Sequence, residues 1–280
     1  LNRILILGAS GFIGSLLYRE LSPYFDVQGT YHSNSDALFE NQVMHQFNVE
    51  TDSITPLLES IQPNYIISSL RGDFKSQYDI HQEIINYVKS VDHSRLYFLS
   101  TVNVFDGKSK FPAYEDDPLI PESNYGKFKA SVERSIRELS SEKYALLRLP
   151  MVLGVNSPRL NHLRYCSVHK ESFEVFPNLI ISVTTANKIA QQVHYLINKD
   201  LTGVYHLSSS DMIHHDELFE EIAEKLNLQN LVFKNVYNSN EDQYLAILPK
   251  KNKLPKNYRI TVSEVINDIT LMEEIETFKR

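Results

Sequence analysis

Short, fully apolar runs alternate along this chain with stretches of helical spacing, and that alternation predicts the architecture. Ile4-Leu5-Ile6-Leu7 is a continuous apolar run, and Ser15-Leu16-Leu17-Tyr18-Arg19-Glu20-Leu21 carries apolar residues three and four apart. The first pattern is that of a buried strand and the second that of an amphipathic helix. The same reading predicts strands at 26–31, 43–49, 65–69, 95–100 and 144–149. Helices are predicted at 53–62, at 75–91 and from Tyr125 to about Ser140. Strands that alternate with helices imply a parallel sheet with crossover helices. Past Pro150 the pattern loosens. Residues 155–182 carry few signals, a helix is predicted at 185–197, a strand at 203–207, a helix at 216–226, an extended stretch at 231–236 and a last helix from about Val262.

The turn between the first strand and helix reads Gly8-Ala9-Ser10-Gly11-Phe12-Ile13-Gly14. A glycine turn that opens a helix points free backbone N–H groups and the helix dipole at a pyrophosphate. Gly8 suits the tight turn, Gly11 the close approach of phosphate and Gly14 close helix–strand packing, a G-x-x-G-x-x-G variant of the dinucleotide fingerprint. Ser10, Phe12 and Ile13 lie on the same turn. With this motif the predicted fold class is α/β, a Rossmann-type doubly wound parallel sheet. Residues 1–154 form its dinucleotide-binding part, and 155–280 form a small C-terminal lobe interleaved with elements that return to the sheet over about 183–228.

The end of the second strand bears on which dinucleotide binds. It reads Thr30-Tyr31-His32-Ser33-Asn34-Ser35, without the acid that would hold the ribose hydroxyls of NAD. Tyr31 is a candidate to stack on adenine, and His32, Ser33 and Asn34 to meet a 2′-phosphate, which favours NADP(H) and leaves NAD(H) open. Strand ends supply the other candidate cofactor contacts: Asn48 and Val49 beside adenine, Ser68, Ser69 and Leu70 beside pyrophosphate or ribose, and Ser100. Pro150, Met151 and Val152 are expected near the nicotinamide.

Tyr125 and Lys129 stand four residues apart on a predicted helix and so share a face. A cation beside a phenol favours the phenolate and lowers the Tyr pKa, which makes Tyr125 a candidate proton donor. Thr101, at the end of a predicted strand, adds a hydroxyl. The three suit proton transfer to an oxygen on carbon.

Composition changes this picture little. The 280 residues carry a formal net charge of −7, which argues against a nucleic-acid or membrane surface. No apolar run approaches the ~20 residues of a membrane span, and no signal-peptide pattern opens the chain. The single cysteine, Cys166, forms no internal disulfide and fits a reducing, cytoplasmic setting. His206, Asp211, His214, His215 and Asp216 lack the spacing of a zinc helix, and Asp216 reads instead as a residue of a helix first turn; no metal site is predicted. Glu115-Asp116-Asp117 reads as a solvated acidic loop, Lys250, Lys251, Lys253 and Lys256 as a solvated basic turn, and Arg148 as a structural anchor.

The glycine turn, Tyr125-x-x-x-Lys129 and Arg148-Leu149-Pro150-Met151-Val152-Leu153-Gly154 together resemble an extended short-chain dehydrogenase/reductase. Within that superfamily, Leu99-Ser100-Thr101-Val102-Asn103-Val104-Phe105-Asp106-Gly107 is similar to the S-T-D-Y-V-F-x-G string of dTDP-4-dehydrorhamnose reductases. The resemblance implies a catalytic trio of Thr101, Tyr125 and Lys129, with Lys129 also holding the nicotinamide ribose. It implies NADP(H)-dependent reduction of a nucleotide-linked 4-keto-sugar bound in the C-terminal lobe, and it admits a homodimer. Arg71, Val102, Asn103 and Phe105 are the candidate substrate contacts. Val102-Asn103 and Ser68-Ser69-Leu70-Arg71-Gly72 depart from the family's usual sequences. Two alternatives stay open: an NAD-dependent epimerase or dehydratase, and a non-catalytic nucleotide-binding regulatory subunit.

Overall fold

The computed structural model describes residues 2–33 and 42–271. Its centre is a sheet of seven strands: β1 (Arg3–Leu7), β2 (Asp26–Tyr31), β3 (Met44–Gln46), β4 (Tyr65–Ser68), β5 (Arg95–Thr101), β6 (Tyr144–Leu149) and β11 (Gly203–His206). Their order is β11-β6-β5-β4-β1-β2-β3, and every neighbouring pair is parallel. A parallel sheet needs cover on both faces, which explains why its central strands β1, β4, β5 and β6 are mostly apolar and buried rather than alternating. Ile4 and Ile6 face helices α1 (Phe12–Leu21) and α6 (Ala186–Asn198), packing with Leu17, Leu21, Ile189 and Val193. Leu5 and Leu7 point the other way, towards α2 (Thr55–Ile61), α3 (Phe74–Ser90) and α4 (Asn124–Ile136), where they meet Leu58, Ile84, Val88 and Val132. The α/β doubly wound class read from the sequence is therefore the observed one.

The rest of the chain builds a smaller body at one end of the sheet. It contains β7 (Met151–Leu153), α5 (Pro158–His169), β8 (Ser172–Val175), β9 (Leu179–Ile181), β10 (Val183–Thr185), β12 (Ile213–His214), α7 (His215–Lys225), β13 (Val232–Asn235), β14 (Gln243–Leu245) and α8 (Val262–Ile269). These strands form small sheets, β10-β7, β12-β9-β14 and β13-β8, around a separate apolar cluster that includes Leu160, Phe173, Phe219 and Val265. The stretch 155–182, which the sequence left blank, thus holds a helix and two strands.

The acidic loop is the main departure from expectation away from the site. Glu115 is buried rather than solvated, and its carboxylate accepts N–H bonds from Lys250 and Lys251 at 3.0–3.2 Å. Burial would raise this carboxyl, but these N–H groups outweigh it and hold it below the usual range. Asp117 pairs with Lys108. The loop therefore ties the sheet to the segment around residue 250, a long-range pairing that local sequence does not announce. Arg148 is fully buried, and Cys166 lies in the core. Among the described residues no helix is long and apolar enough to cross a membrane.

Candidate functional site

In an open parallel sheet ligands bind beyond the carboxyl ends of the strands, where the strand order reverses. Here that point lies between β1 and β4. A cleft of about 440 Å³ opens there, within the usual range for small-molecule sites. Its floor is the glycine turn. The backbone N–H of Gly8 donates to Thr30 Oγ1 at 2.9 Å and that of Gly11 to the Gly8 carbonyl at 3.0 Å, which closes the turn. Gly11 then caps α1 without any side-chain bond, so the helix N-terminus faces the cleft. At Gly14 a Cβ would stand 2.1 Å from the Gly8 carbonyl oxygen, and only glycine lets the helix begin so close to the strand. This cradle of backbone donors fits the diphosphate of a dinucleotide.

Most of the sequence-predicted cofactor residues meet at this cleft. Gly8, Ser10, Gly11, Phe12, Ile13, Gly14, Tyr31, His32, Asn48, Val49, Ser69, Leu70, Ser100, Tyr125 and Lys129 line it. Glu50 and Phe47 line it as well and were missed; they sit on the loop after β3, where the strand end gave the only signal. Ser68 is a correction. It is buried, and its hydroxyl bonds His81 Nε2 at 2.8 Å, because successive strand residues point to opposite faces and Ser68 points into α3. Ser33 is exposed and does not line the cleft, and Asn34 lies outside the described residues.

A second cleft, of about 760 Å³, continues outward between the sheet and the smaller body. Pro150, Val152, Ser157, Arg159, His162, Phe173, Glu174 and Phe176 line it, and Met151 does not. The two clefts share Phe12, Ile13, Arg71, Ser100, Tyr125 and Leu149, which form the throat between them, and Thr101 lines the outer side. Three of the four candidate substrate residues are absent from it. Val102 and Phe105 are buried in a cluster with Ala113, Ala130 and Ile247, because residues 102–105 wind into a short 3-10 turn that directs them inward. Asn103 instead exchanges bonds with Thr101: Thr101 Oγ1 donates to Asn103 Oδ1 at 2.9 Å and accepts from Asn103 N at 3.3 Å. Arg71 alone of the four faces the clefts, and it faces both.

The electrostatics of the throat also differ from expectation. Tyr125 is 41 % exposed at the mouth. Desolvation of its hydroxyl raises the phenol above its usual range, against the charge of Arg71 and a hydrogen bond with Thr101, which both pull it down. Arg71 is the charge that pulls it down, and Lys129 reaches past the ring toward β5. Its ammonium donates to the Leu99 carbonyl at 2.9 Å and lies 5.9 Å from the centre of the Tyr125 ring and 4.5 Å from that of Phe98. Burial lowers Lys129 to about 8, against the neighbouring Glu133, which raises it. Helical spacing put Tyr125 and Lys129 on one face, but only packing showed that Lys129 reaches inward to β5. Gly126 was missed too: a Cβ there would sit 2.2 Å from the Asn103 carbonyl, so α4 rests directly on the 102–105 turn. A glycine inside a helix, with its cost in propensity, was the available signal.

A doubly wound parallel sheet with a phosphate cradle at its switch point defines a dinucleotide-binding α/β protein of Rossmann type. The chain belongs to the RmlD substrate binding domain family, whose model matches residues 2–268. It is similar to the spore coat polysaccharide biosynthesis protein SpsK of Bacillus subtilis, with 26 % identity over 83 % of this chain and 82 % of that one. It is also similar to the methionine adenosyltransferase 2 subunit beta of Xenopus tropicalis, with 24 % identity over 81 % of this chain and 73 % of that one. Its fold is shared with a dTDP-4-dehydrorhamnose reductase from Bacillus anthracis solved in complex with NADP, at a TM-score of 0.74 and 20 % identity over 96 % of this chain and 97 % of that one. The sequence resemblance to dTDP-4-dehydrorhamnose reductases agrees with these matches.

Proposed function

We propose that this protein is an NADP(H)-dependent reductase of a nucleotide-linked 4-keto-sugar. One observation carries the reading: the Tyr125 hydroxyl stands in a throat that joins a phosphate-cradling inner cleft to a roomier outer cleft, with Thr101 beside it and Lys129 on the inner side. The nicotinamide supplies hydride when bound. Tyr125 gives its proton to the oxygen of the reduced carbonyl as general acid. Its raised pKa keeps it protonated at neutral pH, and Arg71 and Thr101 limit that rise. Thr101 turns its one hydroxyl proton from Asn103 Oδ1 to the same substrate oxygen as charge develops. In this reading Lys129, held by the Leu99 carbonyl, bonds the nicotinamide ribose with its remaining N–H groups. Arg159 gives the outer cleft a positive group for an anionic substrate, His162 adds a ring N–H, and Phe173 and Phe176 give it flat apolar walls. NADP(H) is preferred because Tyr31 and His32, rather than an acid, close the end of β2 at the inner cleft. The family, and the NADP in the B. anthracis structure, support this reading.

The test is loss of NADPH absorbance with dTDP-, GDP-, UDP- and CDP-linked keto-sugars, run beside Tyr125→Phe. The wild type turns over one class, and the Phe variant keeps NADPH affinity but loses at least ~10²-fold in kcat. Wild-type turnover by the Phe variant overturns the role of Tyr125. The likeness to a methionine adenosyltransferase subunit supports a second reading, as a nucleotide-binding subunit of an assembly. Inactivity on every sugar, together with tight association with a partner enzyme, is the outcome that selects it.

A further inference from the structure

One side chain next to the throat is used by neither the cofactor cradle nor the proton transfer. Glu133 is fully buried on α4, one turn beyond Lys129 and two beyond Tyr125, on the same face. Its Oε1 accepts from the Ser100 hydroxyl at 2.5 Å and from Arg148 Nε at 3.0 Å, and its Oε2 accepts from Arg148 Nη2 at 2.8 Å. Arg148, on β6 directly beside Ser100 in the sheet register, is itself fully buried. Its remaining nitrogen donates to the Glu115 carbonyl at 3.1 Å and to His206 Nε2 at 3.2 Å. A buried ion pair is weak evidence for stability, since an apolar pair of the same volume often serves as well. The position of this pair offers another reason for it.

We propose that Glu133 is a positioning residue, clamping the catalytic end of β5 to the helix face that bears Tyr125 and Lys129 and holding Lys129 as the cation. The proposal rests on the reading of Thr101, Tyr125 and Lys129 as the reacting trio. Ser100 precedes Thr101, so the Ser100–Glu133 bond fixes how far the Thr101 hydroxyl stands from α4. The groups around Lys129 leave few other counter-charges. The Phe98 ring and the Leu99 carbonyl face it from β5, neutral His81 from α3, and Tyr125 and Glu133 from its own helix, while Arg148 on β6 is taken up by Glu133. Glu133 is the negative charge that opposes the effect of burial on Lys129. Without it burial acts on Lys129 unopposed and lowers it further, so that it offers less charge to a ribose or to the throat.

The test needs no substrate. Full-length protein is isotope-labelled at lysine Cε, the Lys129 signal is assigned by its loss in Lys129→Ala, and the signal is titrated in wild type, Glu133→Gln and the double variant Glu133→Gln/Arg148→Gln. The double variant leaves no buried guanidinium unpaired, which guards against the single variant's failing to fold. The Lys129 midpoint is expected to drop by about one unit in Glu133→Gln, the size of effect a nearby opposite charge exerts, and by less in the double variant, where loss of the Arg148 cation offsets part of the loss of Glu133. With a substrate in hand, the alkaline limb of kcat moves down by the same amount while KM changes little. An unchanged Lys129 midpoint overturns the proposal, as does failure of both variants to fold, which would make the pair purely structural. Inactivity on every keto-sugar would overturn the proposed reaction instead, and the titration would still report on Glu133.

Discussion

Gly126→Ala separates positioning from stability. A Cβ at this position falls 2.2 Å from the Asn103 carbonyl oxygen, where an ordinary contact begins at 3.4 Å, so α4 and the 102–105 turn must part by about 1.2 Å. Neither side yields easily. The Asn103 side chain and N–H hold Thr101, and Gly126 N–H is held by the Ser123 cap at 3.0 Å. Overpacking of this kind costs about 1–3 kcal/mol, and alanine returns about 1 kcal/mol of helix propensity. Net destabilisation is thus at most about 2 kcal/mol. The same displacement moves Tyr125 relative to Thr101, and an error of about 1 Å at reacting groups costs on the order of 10²-fold in rate. Turnover measured by NADPH absorbance should therefore fall about 100-fold while the unfolding midpoint moves by only a few degrees. Turnover within twofold of wild type would refute the claim that this contact sets the geometry of the throat.

Gly14→Ala should abolish the cradle, because its Cβ would meet the Gly8 carbonyl at 2.1 Å; NADPH titration should show at least a tenfold weaker affinity, and an unchanged affinity would count against the inner cleft as the dinucleotide site. Arg71→Leu removes the charge that most lowers Tyr125, so the phenol, followed by tyrosinate absorbance against Tyr125→Phe as baseline, should titrate at still higher pH; no movement would show that Arg71 acts elsewhere. Acid should destabilise the fold early. Burial holds His81 near 3 and His206 and His215 near 4, so all three stay neutral when folded but bind protons near 6.5 when unfolded. Their contribution is complete above about pH 6.5 and is lost as pH falls towards 4, at up to ~1.4 kcal/mol per histidine per pH unit. Urea midpoints across that range check the slope, and a slope equivalent to less than one proton would contradict the burial of these rings.

Local pattern and tertiary position divide this protein cleanly. Ile4 to Leu7, the glycine turn after them and the helix from Phe12 were legible because strand, turn and helix are set by residues within a few positions of one another. The same holds for the shared face of Tyr125 and Lys129, and for the parallel sheet implied by the alternation of runs. The segment 155–182 was not legible, because α5 has no marked apolar stripe of its own and its packing against Phe173 and Phe219 comes from elsewhere in the chain.

The direction of a side chain at a strand end or a tight turn depends on what packs against it. The sequence therefore aimed Val102, Phe105 and Ser68 at ligands, while the tertiary structure buries them against Ile247 and His81. Charge partners divide the same way. Nothing near residue 71 in the sequence announces that Arg71 faces Tyr125, or that Glu133 meets Arg148 across strand and helix, since electrostatics acts through space between residues brought together only by folding. The chain by itself determined that a dinucleotide cradle and a Tyr–Lys helix belong to one α/β fold. Only the folded structure decided that Arg71 joins Lys129 beside the tyrosine, because that depends on long side chains from distant parts of the chain entering a shared, poorly hydrated throat.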